Sequence, residues 1–262
     1  MKVNPVDRLR SLLLEYAEGF KGRYSECAVL YSGGLDSSIV ASLASRAMTT
    51  TAYAVGIEGS HDLKAAAEGA RELAIPLVKI TASVADVLSA CGLLSTIFQG
   101  SLRRKPDRLE LSIFSPVVMA MMRVREELVF TGQGADEAFG GYSRYSSMSV
   151  AERSISMKND LSELLEKGMD RDRAVAAHFG KTLAAPYLYE PVVSLSGAIE
   201  DRDRFSEDQN KVLLRKLAMQ MGLTASSKAK KAMQYGSGFE RIISREEDVL
   251  KRSGVFDFKR LH

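Results

Sequence analysis

Apolar residues recur along the first half of the chain in short blocks, separated by glycine- and serine-rich turns and by stretches of helical period. Over residues 6–20 the apolar positions Val6, Leu9, Leu13, Tyr16, Ala17 and Phe20 fall three or four apart with charges between them, which predicts an amphipathic helix ended by Gly19 and Gly22. Cys27-Ala28-Val29-Leu30-Tyr31 is a continuous apolar run and reads as a buried strand. Helical character resumes from Ile39 to Ala44. Residues 51–57, 76–80 and 128–131 repeat the strand pattern. Helices are predicted over 62–73, from Ser83 onward, and over the Met-rich stretch 112–124, with Pro116 in the first turn of the last. The polar, basic segment 99–110 reads as a loop with Arg103-Arg104-Lys105-Pro106 at a mobile tip. After Ser147 the strand signal vanishes, and helices are expected over 148–167, 170–183, 191–199, 206–221, 226–232 and 239–250.

Strand and helix alternating over short connections predict an α/β fold: a parallel sheet with helices on both faces and right-handed crossovers, followed by an all-helical C-terminal region. The expected division is an α/β domain over 1–146 and a helical region over 147–262 that packs on it and completes the site. In such sheets ligands bind beyond the carboxyl ends of the strands, so the loops after Tyr31 and Thr131 should share one edge.

Composition narrows the partners. The chain has 262 residues, 45% hydrophobic and 26% charged, ordinary for a globular protein with a sizeable core. A formal charge of +3 gives no case for nucleic acid as the partner, although Lys228, Lys230 and Lys231 form a local basic cluster. Cys27 and Cys91 lie far apart in apolar sequence, as buried thiols of a reducing cytosol do. The charged first residues exclude a signal peptide, and no apolar run reaches the roughly 20 residues of a membrane span, so a cytoplasmic location is expected.

The candidate chemistry sits in two loops. Ser32-Gly33-Gly34-Leu35-Asp36-Ser37-Ser38 joins the first strand to its helix. Its glycines let backbone approach a ligand, and its hydroxyls with the free N–H groups of the helix start can grip phosphate oxygens. Asp36 among those donors suits a divalent cation shared with the phosphates. The lysine of a Walker loop and the spacing of the dinucleotide fingerprint are both absent. The second loop, Thr131-Gly132-Gln133-Gly134-Ala135-Asp136-Glu137-Ala138-Phe139-Gly140-Gly141-Tyr142, repeats the logic with two carboxylates. If both loops face one crevice, Asp36 and Asp136 share a divalent cation that bridges the phosphates of a ligand. Read locally, each stretch also fits a plain glycine-rich turn.

The first loop matches the S-G-G-x-D-S-S loop of the ATP pyrophosphatase (PP-loop) superfamily. The second resembles the S-G-E-G-[AS]-D-E-x-F-G-G-Y signature of asparagine synthetases. Tyr53 to Ala66, Lys211 to Lys216 (K-x-x-L-R-x) and Lys228 to Gly238 (R-x-K-x-x-x-x-x-G-x-G) resemble further segments of that family, in the same order. The resemblance is to the synthetase domain. It implies ATP and Mg²⁺ as cofactors and an ATP-dependent, AMP-forming amide ligase. Such an enzyme adenylates a small carboxylate, aspartate in the family, and transfers ammonia to it. By position, Ser32, Gly33, Gly34, Ser37 and Ser38 would hold pyrophosphate, Asp36 and Asp136 the metal, and Leu30, Val55 and Gly132 would border the nucleoside. Lys230, Gln133 and Glu137 are the candidate catalytic residues; without the match Lys230 reads as a solvated charge.

Three departures stand out. The family's N-terminal glutaminase domain begins with a cysteine after the initiator Met, where this chain has Lys2, so the resemblance implies free ammonia or a separate glutaminase. The family glutamate of S-G-E-G is Gln133, which neither carries charge nor acts as a base. The family's R-x-P-F-L-D appears as Ala184-Ala185-Pro186-Tyr187-Leu188-Tyr189. These leave open the same adenylation on another acceptor, to make a lactam or another amide, and a non-catalytic ATP-binding subunit.

Overall fold

The structure is a computed structural model that describes residues 4–226 and 236–255. Five parallel strands, β1 (Glu26–Leu30), β2 (Thr49–Ile57), β3 (Leu77–Ala82), β4 (Leu128–Phe130) and β5 (Thr182–Ala184), form one sheet in the order β3-β2-β1-β4-β5. The chain steps outward from β1 through β2 to β3, then returns to lay β4 on the other side of β1. The order therefore reverses between β1 and β4, which makes their carboxyl ends the switch point where a crevice opens.

Strand residues alternate between two cores. Cys27, Val29, Tyr31, Ala52, Ala54, Leu128 and Phe130 pack with α1 (Pro5–Glu18), α2 (Leu35–Ala47), α3 (His61–Glu72) and α10 (Val212–Gln220). Ala28, Tyr53, Val55, Ile57 and Val129 pack on the opposite face with α4 (Val84–Leu102), α5 (Arg108–Met121) and α8 (Met169–His178). This is the parallel sheet with two covered faces that the runs of apolar residues predict. The two cysteines are buried and free, and burial pushes both thiols up to about 11.

Several expectations are corrected. A strand does follow Ser147: β5 pairs with β4 in the register Leu128↔Thr182, Val129↔Leu183, Phe130↔Ala184. Three residues of Thr-Leu-Ala carry too little pattern to separate from the preceding helix, which ends at His178. The sheet thus takes one strand from beyond residue 146. The basic loop is only residues 103–107, because a capping box of Asp107 and Glu110 starts α5 at Arg108 and leaves Pro116 in the helix interior. Its expected mobile tip is tied down: Arg104 makes two hydrogen bonds, of 2.6 and 2.5 Å, to the buried Glu110, which also pairs with Arg171. The helix expected over 206–221 begins only at Val212, after a turn closed by a Phe205–Asn210 bridge. The helix expected over 148–167 is α7 (Val150–Glu163) followed by a wide turn of π type, Leu164–Gly168. The helix expected over 226–232 falls almost wholly outside the described residues. The 19-residue α4 is long and apolar enough to cross a membrane by length and composition, more than the sequence reading allowed. Its stripe Val87, Ala90, Cys91, Leu94, Ile97 and Phe98 is buried in the second core.

The first core is braced by rings. Phe130 on β4 is fully buried against Tyr16 and Phe20 of the α1 segment, with centroids 6.5 and 5.7 Å away. Phe130→Ala is expected to lower the unfolding free energy by about 3–5 kcal/mol, measured by urea denaturation.

Candidate active site

The first loop turns on Gly33. It has φ +70, and a Cβ there would lie 2.2 Å from the Ala65 carbonyl carbon of α3, so only glycine fits the close approach of loop and helix. Gly34 caps α2 without a side chain, which leaves the first N–H groups of that helix uncapped at the crevice. Ser32 Oγ receives Gly34 N–H at 3.3 Å and lies 3.2 Å from Ser37 Oγ, which donates to Gly34 O. The structure thus brings Ser32, Gly34 and Ser37, expected from the sequence to hold pyrophosphate, together at the start of α2. Ser38 does not join them. Its hydroxyl is buried and pairs at 3.1 Å with Tyr31 OH, which lies against Gly69 of α3, so the side chain braces strand against helix.

The second loop meets the first. A Cβ on Gly132 would lie 3.2 Å from Asp36 Cβ and 3.4 Å from Ser37 N, so the two loops touch as expected. Asp136 opens the short helix α6 (Ala135–Phe139), and its carbonyl accepts from the N–H groups of Gly140 and Gly141 at 3.0 and 2.8 Å. The Asp136 and Asp36 carboxylates meet at one ammonium, that of Lys211. Leu30 is half-buried at the end of β1 and Val55 is buried on β2; both face the second core. Gln133 is half-buried and donates its backbone N–H to Thr131 Oγ1. Glu137 is buried and accepts from Tyr142 OH at 2.5 Å. Burial raises its pKa, and the neighbouring Asp136 adds to the shift against that hydrogen bond. Lys230 lies outside the described residues. Downstream of it, Ser237 O accepts from Ile57 N at 2.9 Å, so the glycine turn Gly236-Ser237-Gly238 docks at the carboxyl end of β2.

Sequence reasoning missed the centre of the site. Lys211, the residue before α10, places its ammonium 2.6 Å from Asp36 Oδ2 and 2.5 Å from Asp136 Oδ1. Its side chain is 4% exposed; the two carboxylates are each 24% exposed. Burial alone would lower the Lys211 pKa, but attraction to Asp36 and Asp136 outweighs it and holds the ammonium charged above its ordinary range. The K-x-x-L-R-x match marked Lys211, but nothing local showed that it reaches a loop 175 residues away. Tyr187, fully buried, donates its hydroxyl to Asp36 O at 3.2 Å.

Asp172 was missed too. It sits in the first turn of α8, which runs back along the sheet to β5, so that turn lies at the carboxyl edge. Burial pushes its carboxyl up to about 7, and Glu137 adds to the rise against the pull of Arg171. A polar cavity of about 510 Å³ opens elsewhere, beside Phe205 and the 201–210 turn. None of the predicted site residues lines it, and its Arg153 is already paired with Asp201.

Two carboxylates meeting beside uncapped N–H groups are the hard oxygen donors that magnesium takes together with phosphate oxygens. Among the described residues no three His, Cys, Asp or Glu gather into a closed cage. The donor set therefore fits a cation whose remaining ligands come from a polyphosphate and water.

A parallel sheet with glycine loops at its switch point and paired acids between them defines an α/β domain of PP-loop type. The family model for asparagine synthase matches residues 24–169, more than half of the chain, and the chain belongs to that family. A protein of Methanocaldococcus jannaschii, provisionally named asparagine synthetase (glutamine-hydrolyzing) 1, is 29% identical over 89% of this chain and 49% of its own length. Asparagine synthetase (glutamine-hydrolyzing) 1 of Lotus japonicus is 35% identical over 44% of this chain and 21% of its own. The chain thus spans half or less of these relatives. Among solved structures, NMN synthetase from Francisella tularensis aligns over 100% of this chain and 99% of that one at 13% identity, with a TM-score of 0.38.

The raised Asp172 pKa carries a pH signature. A carboxyl whose folded-state pKa exceeds its ordinary 3.8 adds stability below that value and loses it as the pH rises through about 7. Asp172→Asn removes the penalty. The variant's stability relative to wild type is expected to climb across that window and level off above it, as read by urea midpoints from acid to mildly alkaline pH. A difference independent of pH would contradict the assignment.

Proposed function

We propose that the protein is an ATP-dependent, AMP-forming amide ligase: it adenylates a small carboxylate, with aspartate as the first candidate, and transfers ammonia to it. The observation that carries this reading is the convergence of Asp36 and Asp136 beside the Ser32–Ser37 cradle. In the proposed reaction a carboxylate oxygen of the acceptor attacks the α-phosphorus of ATP, and pyrophosphate leaves. Ammonia, free or from a separate glutaminase, then attacks the acyl carbon, AMP departs, and the nitrogen gives up a proton.

Each part has a physical task. The uncapped N–H groups of α2 and the Ser32 and Ser37 hydroxyls hold the departing pyrophosphate. Asp36 and Asp136 hold magnesium, which supplies charge neutralisation on the polyphosphate. Gly132 lets the second loop close on Asp36, and Leu30 and Val55 give apolar contact to the nucleoside. Lys230 is assigned to the charge that develops on the reacting phosphate, and Glu137 to the wall of the acceptor side. Two buried, reduced thiols accord with a cytoplasmic setting.

Specific observations keep a second acceptor in view. Gln133 cannot act as a base. At the family's arginine and aspartate positions stand Ala184, buried at the end of β5, and Tyr189, whose hydroxyl is tied to Glu15 at 2.8 Å. The same adenylation on a different carboxylate fits these residues.

The test is incubation of the purified protein with Mg-ATP, ammonium and L-aspartate, followed by phosphorus NMR and amino-acid analysis. AMP, pyrophosphate and asparagine are expected; AMP and pyrophosphate without asparagine would move the assignment to another acceptor. ATP left intact with every carboxylate in a panel would overturn the ligase reading. Asp36→Asn keeps an acceptor for Lys211 and is expected to slow AMP formation by at least ~100-fold with an unchanged circular dichroism spectrum.

A further inference from the structure

Lys211 holds a position that the nucleotide chemistry needs for something else. Its ammonium takes one oxygen from each of Asp36 and Asp136, at 2.6 and 2.5 Å. A magnesium ion would bond such oxygens at about 2.0–2.1 Å and would need the same point. The lysine cannot withdraw toward Gly141. Its side chain is almost fully buried, and a Cβ on Gly141 would lie 2.3 Å from Lys211 Cε, so backbone walls the side chain on that flank. An ammonium and a divalent cation a few ångströms apart repel strongly at a site this enclosed.

We propose that Lys211 is the resident cation of the site: its ammonium and a divalent cation occupy the point between Asp36 and Asp136 alternately, and a polyphosphate permits the exchange. This rests on the reading that the two aspartates are metal ligands. Without nucleotide, the lysine neutralises the pair and repels a second cation. A polyphosphate entering the Ser32–Ser37 cradle brings the negative charge toward which the displaced ammonium turns, so metal arrives with the nucleotide and not before it. The backbone accords with a residue placed for a task. Lys211 adopts φ 58, ψ 40, a left-handed conformation unfavourable for a lysine, just where the chain enters α10. Gly141 has no side chain at the one place where a Cβ would strike both Asp136 Oδ1 (1.7 Å) and Lys211 Cε.

Mn²⁺ serves as the probe, read by electron paramagnetic resonance titration and by thermal melting, with no turnover needed. Wild-type protein is expected to gain no thermal stability from Mn²⁺ alone and to gain it when a non-hydrolysable ATP analogue is added. Lys211→Met leaves two facing carboxylates and is expected to bind Mn²⁺ without nucleotide about tenfold or more tightly than wild type. Should that variant fail to fold, Lys211→Gln retains an N–H donor and takes its place. The wild-type comparison stands without either. Equal Mn²⁺ affinity of wild type and variant in the absence of nucleotide would overturn the exchange. So would a wild-type protein stabilised by Mn²⁺ alone as much as by Mn²⁺ with the analogue. If neither protein binds Mn²⁺ even with the analogue, the metal reading of Asp36 and Asp136 fails, and the exchange with it.

Discussion

One ammonium between two carboxylates is the interaction on which the candidate site depends. Asp36 begins the helix after β1, Asp136 begins the helix after β4, and Lys211 arrives from the C-terminal half just before α10. No two of the three are near in sequence, so the triad exists only once the sheet, its switch point and the packing of α10 on the first core are all in place. Removing one member of a buried ion cluster typically costs about 3–5 kcal/mol, because the charges left behind lose both water and partner. The triad therefore reports on the tertiary fold as well as on the chemistry. It also ties the sheet to the helical half, beside the Tyr187 hydroxyl on Asp36 O and the Thr131 N–H on Ala184 O.

Close approach is the second constraint, and it explains why glycine and alanine crowd these loops. Gly33 lets the cradle press on α3, Gly132 lets the loops touch, Gly134 faces Leu188, and Gly141 borders the triad. Backbone comes close to neighbouring backbone or side chains at each of these glycines, so the N–H groups beside them are placed by the fold. Lys211 brings a buried ammonium to this crevice, facing the carboxylates of Asp36 and Asp136.

The legible part of the fold was whatever local pattern encodes. Four strands, the loops that follow β1 and β4, and the acids within them could be read because apolar runs and glycine motifs occupy consecutive residues. The fifth strand was not legible, since Thr182–Ala184 is three residues long and its partner, β4, lies about fifty residues upstream. The triad was half legible. Two acids stood in recognisable loops and Lys211 in a matched segment, but only folding shows that its ammonium reaches both acids. Asp172 gave no signal: it stands in a run of alternating acids and bases that reads as a solvated face, yet its first-turn position on α8 buries it. Ser38 shows the reverse case. The motif marked its hydroxyl as a ligand, whereas helical geometry turns it inward to Tyr31.

The two halves of the site stand differently toward the family pattern, and the difference has a structural basis. The loop backbones and the charge triad tolerate no gradual change: a Cβ at Gly33 or Gly141 would collide with backbone or with the triad itself. The positions that depart from the family pattern are side chains beyond the triad. There Ala184 closes β5 without a charge, Tyr189 has been drawn away to Glu15 on α1, and Gln133 offers a neutral amide. Substitution at such positions leaves the sheet and the triad undisturbed, because Pro186-Tyr187-Leu188 still packs Tyr187 beneath Asp36 and Leu188 against Gly134. A fold built this way can keep its loop glycines and its triad while those side chains change.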